Sequence, residues 1–217
     1  MIDAVVFDLD GVLVDSEGAW SQARERVVRE HGGTWPPGAT KAMLGMSSPE
    51  WAAYLRDKLG VQLDAREIIA AVVDQMERLY RERLPLIPGA REAVRALAAD
   101  WPLGLASSSN RAIIELALEL ADLRDCFAVT VSSEEVARGK PAPDVYLAAV
   151  ASLAVPASRA AAIEDSANGL RSAAAAGLHV VAIPNREFPP DADALALADR
   201  VLASLDELRP EVIYTLV

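Results

Sequence analysis

The chain has 217 residues, 52% hydrophobic and 24% charged, a balance that builds a folded core and excludes disordered and collagen-like polymers. Thirty-two acids against twenty-one bases give a formal charge of −11, which repels nucleic acid and anionic membranes and leaves a small anion as the charged partner, provided local cations receive it. No apolar run approaches the roughly 18 residues of a membrane span, and the N-terminus enters an apolar segment without a leader pattern, so a cytoplasmic protein with no membrane partner is expected.

The first predicted element is a buried strand in AVVFDLD (4–10). Residues 16–86 then show helical patterns at 16–31, 39–44, 47–59 and 65–83 with no convincing strand, which reads as an α-helical insert. LPLIPGA (84–90) returns the chain, with Pro88 suited to the first turn of a helix over 89–99. Apolar runs and helical patterns alternate from there. Strands are predicted at LGLASSS (103–109), FAVTVSS (127–133), AAAIEDS (160–166) and HVVAIP (179–184), and helices at 110–120, 143–153 and 168–176. RVLASLDEL (200–208) reads as a short strand and a helix capped by Ser204. The alternation predicts an α/β fold: a Rossmann-like parallel-sheet core, residues 1–15 and 87–217, with an inserted α-helical cap domain at 16–86.

Ligands of open parallel sheets bind beyond the carboxyl ends of the strands. Those ends carry Asp8, Leu9 and Asp10 on the first run, Ser107, Ser108 and Ser109 on the second, and Glu164, Asp165 and Ser166 on the fourth, with Lys140 soon after the third. In extended backbone Asp8 and Asp10 share a face, and Gly11 allows a sharp turn after them. Acids gathered in this way raise one another's pKa unless a cation compensates. All candidate ligands are oxygens, so the ion expected is hard: Mg²⁺, on Asp8 and Asp10, with Asp165 completing the site from the far strand and Glu164 as a further candidate. A single acid at a strand end is usually a cap or solvated turn; the combination points to chemistry.

An Asp can act as a nucleophile and carry a phosphoryl group. Asp8 approaching a phosphate dianion to about 4 Å would meet a repulsion of roughly 8 kcal/mol at an effective dielectric of 20, worth about six powers of ten in rate. Mg²⁺ and Lys140 are the candidates to cancel it. The Ser107 hydroxyl and the backbone amides of Leu9, Asp10 and Ser108 would hold the equatorial oxygens, and Asp10 would protonate the leaving alkoxide and then deprotonate water. Cys126 reads as a buried core thiol, since neither His nor a second Cys accompanies it. Trp20, Met43, Met46 and Trp51 line either the insert's core or its substrate face, and Arg111 is either a substrate contact or an exposed first-turn residue.

The segments DLDGVLVDSE, LASSS, GKPAPDVY and IEDSANG, in this order, resemble the signature motifs of the haloacid dehalogenase superfamily, in its phosphatase and β-phosphoglucomutase-like branch with a helical cap. The resemblance spans nearly the whole chain. It implies Asp8 as nucleophile, Asp10 as acid/base, Ser107 and Lys140 on the phosphate, and Mg²⁺ held by Asp8, the Asp10 carbonyl and Asp165 with Glu164 close by. The function so implied is Mg²⁺-dependent hydrolysis of a small phosphomonoester, a sugar phosphate or similar metabolite, through an aspartyl-phosphate. Carbon–halogen cleavage is disfavoured, because dehalogenases of the family lack the acid at Asp10. A sugar phosphomutase is the alternative, but the mutases resemble one another in an arginine where this chain has Ser48 and a histidine where it has Trp20. A third reading is a signalling protein that accepts phosphate on Asp8 without turnover, which Asp10 argues against.

Overall fold

The computed structural model describes residues 1–43 and 46–216. It divides the chain into two compact units, residues 1–15 with 86–217, and residues 16–85. The strands are β1 (Ala4–Phe7), β2 (Leu103–Ser107), β3 (Phe127–Ser132), β4 (Ala160–Glu164), β5 (His179–Ala182) and β6 (Arg200–Val201). The helices are α1 (Glu17–Glu30), α2 (Ala39–Ala42), α3 (Ser48–Asp57), α4 (Ala65–Glu82), α5 (Ala90–Ala98), α6 (Arg111–Leu120), α7 (Asp144–Ser152), α8 (Ala167–Ala175), α9 (Ala192–Leu195) and α10 (Pro210–Tyr214).

Among the described residues the six strands form one parallel sheet in the order β3-β2-β1-β4-β5-β6, an α/β Rossmann-like fold. β1 lies inside it, hydrogen-bonded to β2 and β4, and all four of its residues are buried. That is why its sequence is apolar throughout rather than alternating: a parallel strand covered on both faces has no solvent side. Val6, Ala106, Ala162 and Val180 pack on Tyr146 and Ala149 of α7 and on Leu170 and Ala173 of α8.

After β1 the chain builds outward through β2 to β3, then returns to lay β4 on the other side of β1. Strand order therefore reverses between β1 and β4, the place where open α/β sheets open a crevice beyond the strand ends. Register does the rest. Phe7 pairs with Ile163, and the Asp8 amide donates to the Ile163 carbonyl at 3.0 Å, so Asp8 leaves the sheet beside Glu164.

The strands end one to three residues before the predicted runs do, β2 and β3 on a serine and β4 on Glu164. Pro88 stands ahead of α5 rather than in its first turn, and Gly89, at φ 83°, is the residue that turns into the helix. The helix expected after Ser204 is a single 3₁₀ turn, Leu205–Glu207, and the Ser204 side chain accepts no capping hydrogen bond. Pro210 is the reason: it forces Arg209 into extended backbone (φ −121°, ψ 161°), so the helical stretch restarts as α10. Cys126 is half-buried rather than a core residue.

In the second unit α1 and α3 pack on α4, which buries Ile68, Val72, Met76 and Tyr80 along one stripe. Asp64 accepts from the Arg66 and Glu67 amides at 2.8 and 2.9 Å while Glu67 accepts from the Asp64 amide at 2.9 Å, a reciprocal cap that starts α4. Trp20, Met43 and Trp51 are buried in this unit, and Met46 is half-buried. The Arg24 guanidinium lies over both the Trp20 and Trp51 rings, 5.1 and 5.2 Å from their centroids. Leu44 and Gly45, which precede the loop to Ser48, lie outside the described residues. No helix among the described residues is long and apolar enough to cross a membrane.

Candidate active site

Four of the predicted site residues meet beyond β1 and β4. Lys140, from the loop after β3, donates to Asp8 Oδ1 at 2.6 Å and to Glu164 Oε1 at 2.5 Å, with its side chain only 5% exposed. Ligand oxygens of Asp8, Glu164 and Asp165 all lie within 4.8 Å of one another. Glu164, with no exposed surface, is the hub. Its Oε1 also accepts from the Tyr146 hydroxyl at 2.9 Å, and its Oε2 from the Asp165 and Ser166 amides at 3.0 and 3.3 Å.

Two glycines make this density possible. Gly11 lies at φ +82° in the turn after β1, and a Cβ there would fall 1.9 Å from Asp165 Oδ2. Gly169, in the first turn of α8, lies under Glu164, and its Cβ would fall 1.8 Å from Oε1. The acids occupy the space that side chains would fill.

Electrostatics explains what such a cluster wants. Burial, opposed by Lys140 and reinforced by the Glu164 and Asp10 carboxylates, pushes the Asp8 carboxyl up to about 8. Burial and the neighbouring Glu164 and Asp8 carboxylates also hold Asp165 well above the usual carboxylate range. Burial works against the Lys140 ammonium, but Asp8 and Glu164 outweigh it and raise its pKa. If all three acids were to ionise beside the one ammonium, two negative charges would stand uncompensated among these four groups, which a divalent cation would balance. The donors are oxygens, suiting a hard ion.

Asp10 faces a second group. Its Oδ2 accepts from the Ser107 hydroxyl at 3.2 Å and from the Ser109 hydroxyl at 2.8 Å. Its carboxylate is not in the Asp8, Glu164 and Asp165 group. Leu9 is buried, with its carbonyl accepting from the Leu13 and Val14 amides. Ser108 is exposed between two buried serines. Arg111, the first residue of α6, neither reaches into the site nor floats in solvent: its guanidinium pairs with Glu135 at 2.5 Å and donates to Thr130.

Two residues in contact with these groups were given no role in sequence, one on Asp10 and one on Glu164. Ser109 was named only as part of the serine row, although alternation along an extended segment puts Ser107 and Ser109 on one side. Tyr146 lies six residues beyond Lys140, with the Lys140 ammonium 5.0 Å from its ring centroid. A tyrosine in the otherwise apolar VYLAAV was the available signal, since a buried hydroxyl needs a partner.

The haloacid dehalogenase-like hydrolase model matches residues 2–177. Hexitol phosphatase B of Escherichia coli (strain K12) is 34% identical over 94% of this chain and 93% of its own. A CbbY variant from Rhodobacter sphaeroides, solved with xylulose-(1,5)bisphosphate, superimposes with a TM-score of 0.85 at 30% identity, covering 96% of both chains. A putative β-phosphoglucomutase from Thermotoga maritima does so with a TM-score of 0.77 at 27% identity, over 99% of this chain and all of that one.

Proposed function

The chain belongs to the haloacid dehalogenase-like hydrolase family, and on that premise we propose that it is a Mg²⁺-dependent phosphatase hydrolysing a small phosphomonoester, a sugar phosphate or a similar metabolite, through an aspartyl-phosphate on Asp8. The observation that carries this reading is the buried contact of Lys140 with both Asp8 and Glu164, next to Asp165. It sets a carboxylate nucleophile beside a fixed ammonium, in a cluster short of positive charge.

Asp8 attacks phosphorus, forming the aspartyl–oxygen–phosphorus bond as the bond to the leaving oxygen breaks. Asp10 gives that oxygen its proton, then takes one from the water that attacks the aspartyl-phosphate, releasing inorganic phosphate and regenerating Asp8. Lys140 holds Asp8 in place and offsets the charge of the incoming dianion. Ser107 and the amides of Leu9, Asp10 and Ser108 receive the phosphoryl oxygens. Asp8, Asp165, Glu164 and the Asp10 carbonyl would hold Mg²⁺, whose chemistry when bound is to neutralise charge on those oxygens.

The proposed substrate class is supported by a relative named as a hexitol phosphatase and another solved with a sugar bisphosphate. Likeness to a putative phosphoglucomutase supports transfer back to sugar as the second reading. An aryl phosphate assay with and without chelator tests the chemistry: turnover is expected in Mg²⁺ alone and is expected to vanish in Asp8→Asn. Activity persisting in that variant, or after complete chelation, overturns the reading. A panel of sugar phosphates then separates free phosphate, the expected product, from an isomerised sugar phosphate, the product of a mutase.

A further inference from the structure

The two serines that reach Asp10 sit on a loop held from outside the site. Ser107 and Ser109 are buried, and their hydroxyls converge on one Asp10 oxygen. The end of β3 and the segment after it grip the stretch that carries them at several points. Ser133 Oγ donates to the Ser107 carbonyl at 3.2 Å, and Ser132 Oγ donates to the Ser109 carbonyl at 2.7 Å. Asn110 Nδ2 donates to Glu134 Oε1 at 2.5 Å, and the Arg111 amide donates to Glu134 Oε2 at 3.1 Å. Glu135 then takes the Arg111 guanidinium and the Ser132 amide.

Asn110 occupies the residue before α6, where its side chain would ordinarily accept from the helix's first amides; it makes no such bond. Its side-chain amide is turned instead to Glu134, whose carboxylate takes over the first amide of α6. One carboxylate thus fixes both the last residue of the serine loop and the start of the helix that follows. Asn110 is buried, so its orientation is set by its contacts rather than by solvent.

We infer that Glu134 is a positioning residue for the phosphoryl-transfer site: by holding Asn110 and the α6 terminus, it sets the Ser107–Ser109 loop so that both hydroxyls meet Asp10. The inference rests on the reading of Asp10 and Ser107 given above. Glu134 touches neither Asp8 nor Asp10 in any described contact. Its effect passes through the loop, and misplacement of reacting groups by about 1 Å from a distant change can cost up to about 100-fold in rate.

The test is Glu134→Ala and the nearly isosteric Glu134→Gln, assayed with p-nitrophenyl phosphate in Mg²⁺, beside Asn110→Ala and the double variant Glu134→Ala with Asn110→Ala. Gln keeps the volume but presents a donor to one of the two donors that the carboxylate accepts from. Expected are a fall in kcat of roughly 10- to 100-fold, a change in KM of less than about threefold, and a double variant no worse than its poorer parent. Amide hydrogen exchange at residues 108–111 should accelerate in both Glu134 variants, independent of turnover. A role confined to capping α6 would lower Tm and leave kcat alone. Near wild-type kcat in folded Glu134→Gln and Glu134→Ala, or unchanged exchange at 108–111, overturns the inference. Absence of turnover in the wild type overturns the phosphatase reading instead, and the exchange measurement still decides whether the clamp exists.

Discussion

Asp8 is 5% exposed, and its carboxyl is held near 8 against an ordinary value of 3.8. Without metal, the folded protein therefore keeps a proton that the unfolded chain has already released above about pH 4. Stability from this group is complete below that point and is lost as pH rises through about 8, and Asp165, raised by burial, acts in the same direction. In chelator, Tm is expected to fall between about pH 5 and 8, a range above the titration of ordinary carboxylates. Mg²⁺ should flatten or reverse the slope, because a cation binds the deprotonated acids and competes with the protons. A Tm in chelator that holds level or climbs across this range contradicts the charge assignment.

Among the elements, the first turn of α8 offers a test by the sign of the effect. Gly to Ala within an ordinary helix stabilises by about 1 kcal/mol. At Gly169 the added methyl would stand 1.8 Å from Glu164 Oε1, so Gly169→Ala is expected to lower Tm and weaken Mg²⁺ binding by pushing Glu164 off Lys140. Calorimetry and metal titration read both, and a more stable, normally binding variant would refute the packing argument. Asp8, Asp10, Glu164 and Asp165 stood out in sequence because several acids gathered at the ends of two apolar runs exceed what caps or solvated turns require, with Lys140 in the loop after a third. Their nearness follows from parallel register, which the alternation of elements already implied. Ser109, Tyr146 and Glu134 were less legible, since each acts through contacts between segments 18 to 99 residues apart, and no local pattern encodes such contacts. The stretch after Ser204 misled because Ser is a good cap by type, while the stop imposed by Pro210 lies a full turn further on.

For the whole molecule, the way the chain departs from and rejoins the first unit has a testable consequence. Val14 bridges antiparallel to Leu86, and the Ile87 amide donates to the Leu13 carbonyl at 2.9 Å. The two connections to residues 16–85 are thus hydrogen-bonded neighbours, close enough to be joined by a short turn of about four Gly and Ser residues. Replacing 16–85 in this way is expected to leave a folded α/β protein with the strand signature in circular dichroism and cooperative unfolding. Non-cooperative melting would show that the sheet unit depends on the helices.

The same paired junction bears on how freely the insert can change. An insert whose two ends meet at a single bridge can be lengthened, shortened or exchanged by recombination without shifting the residues that flank the acids. Tolerance of the chain to such exchange thus traces to one pair of adjoining peptide groups.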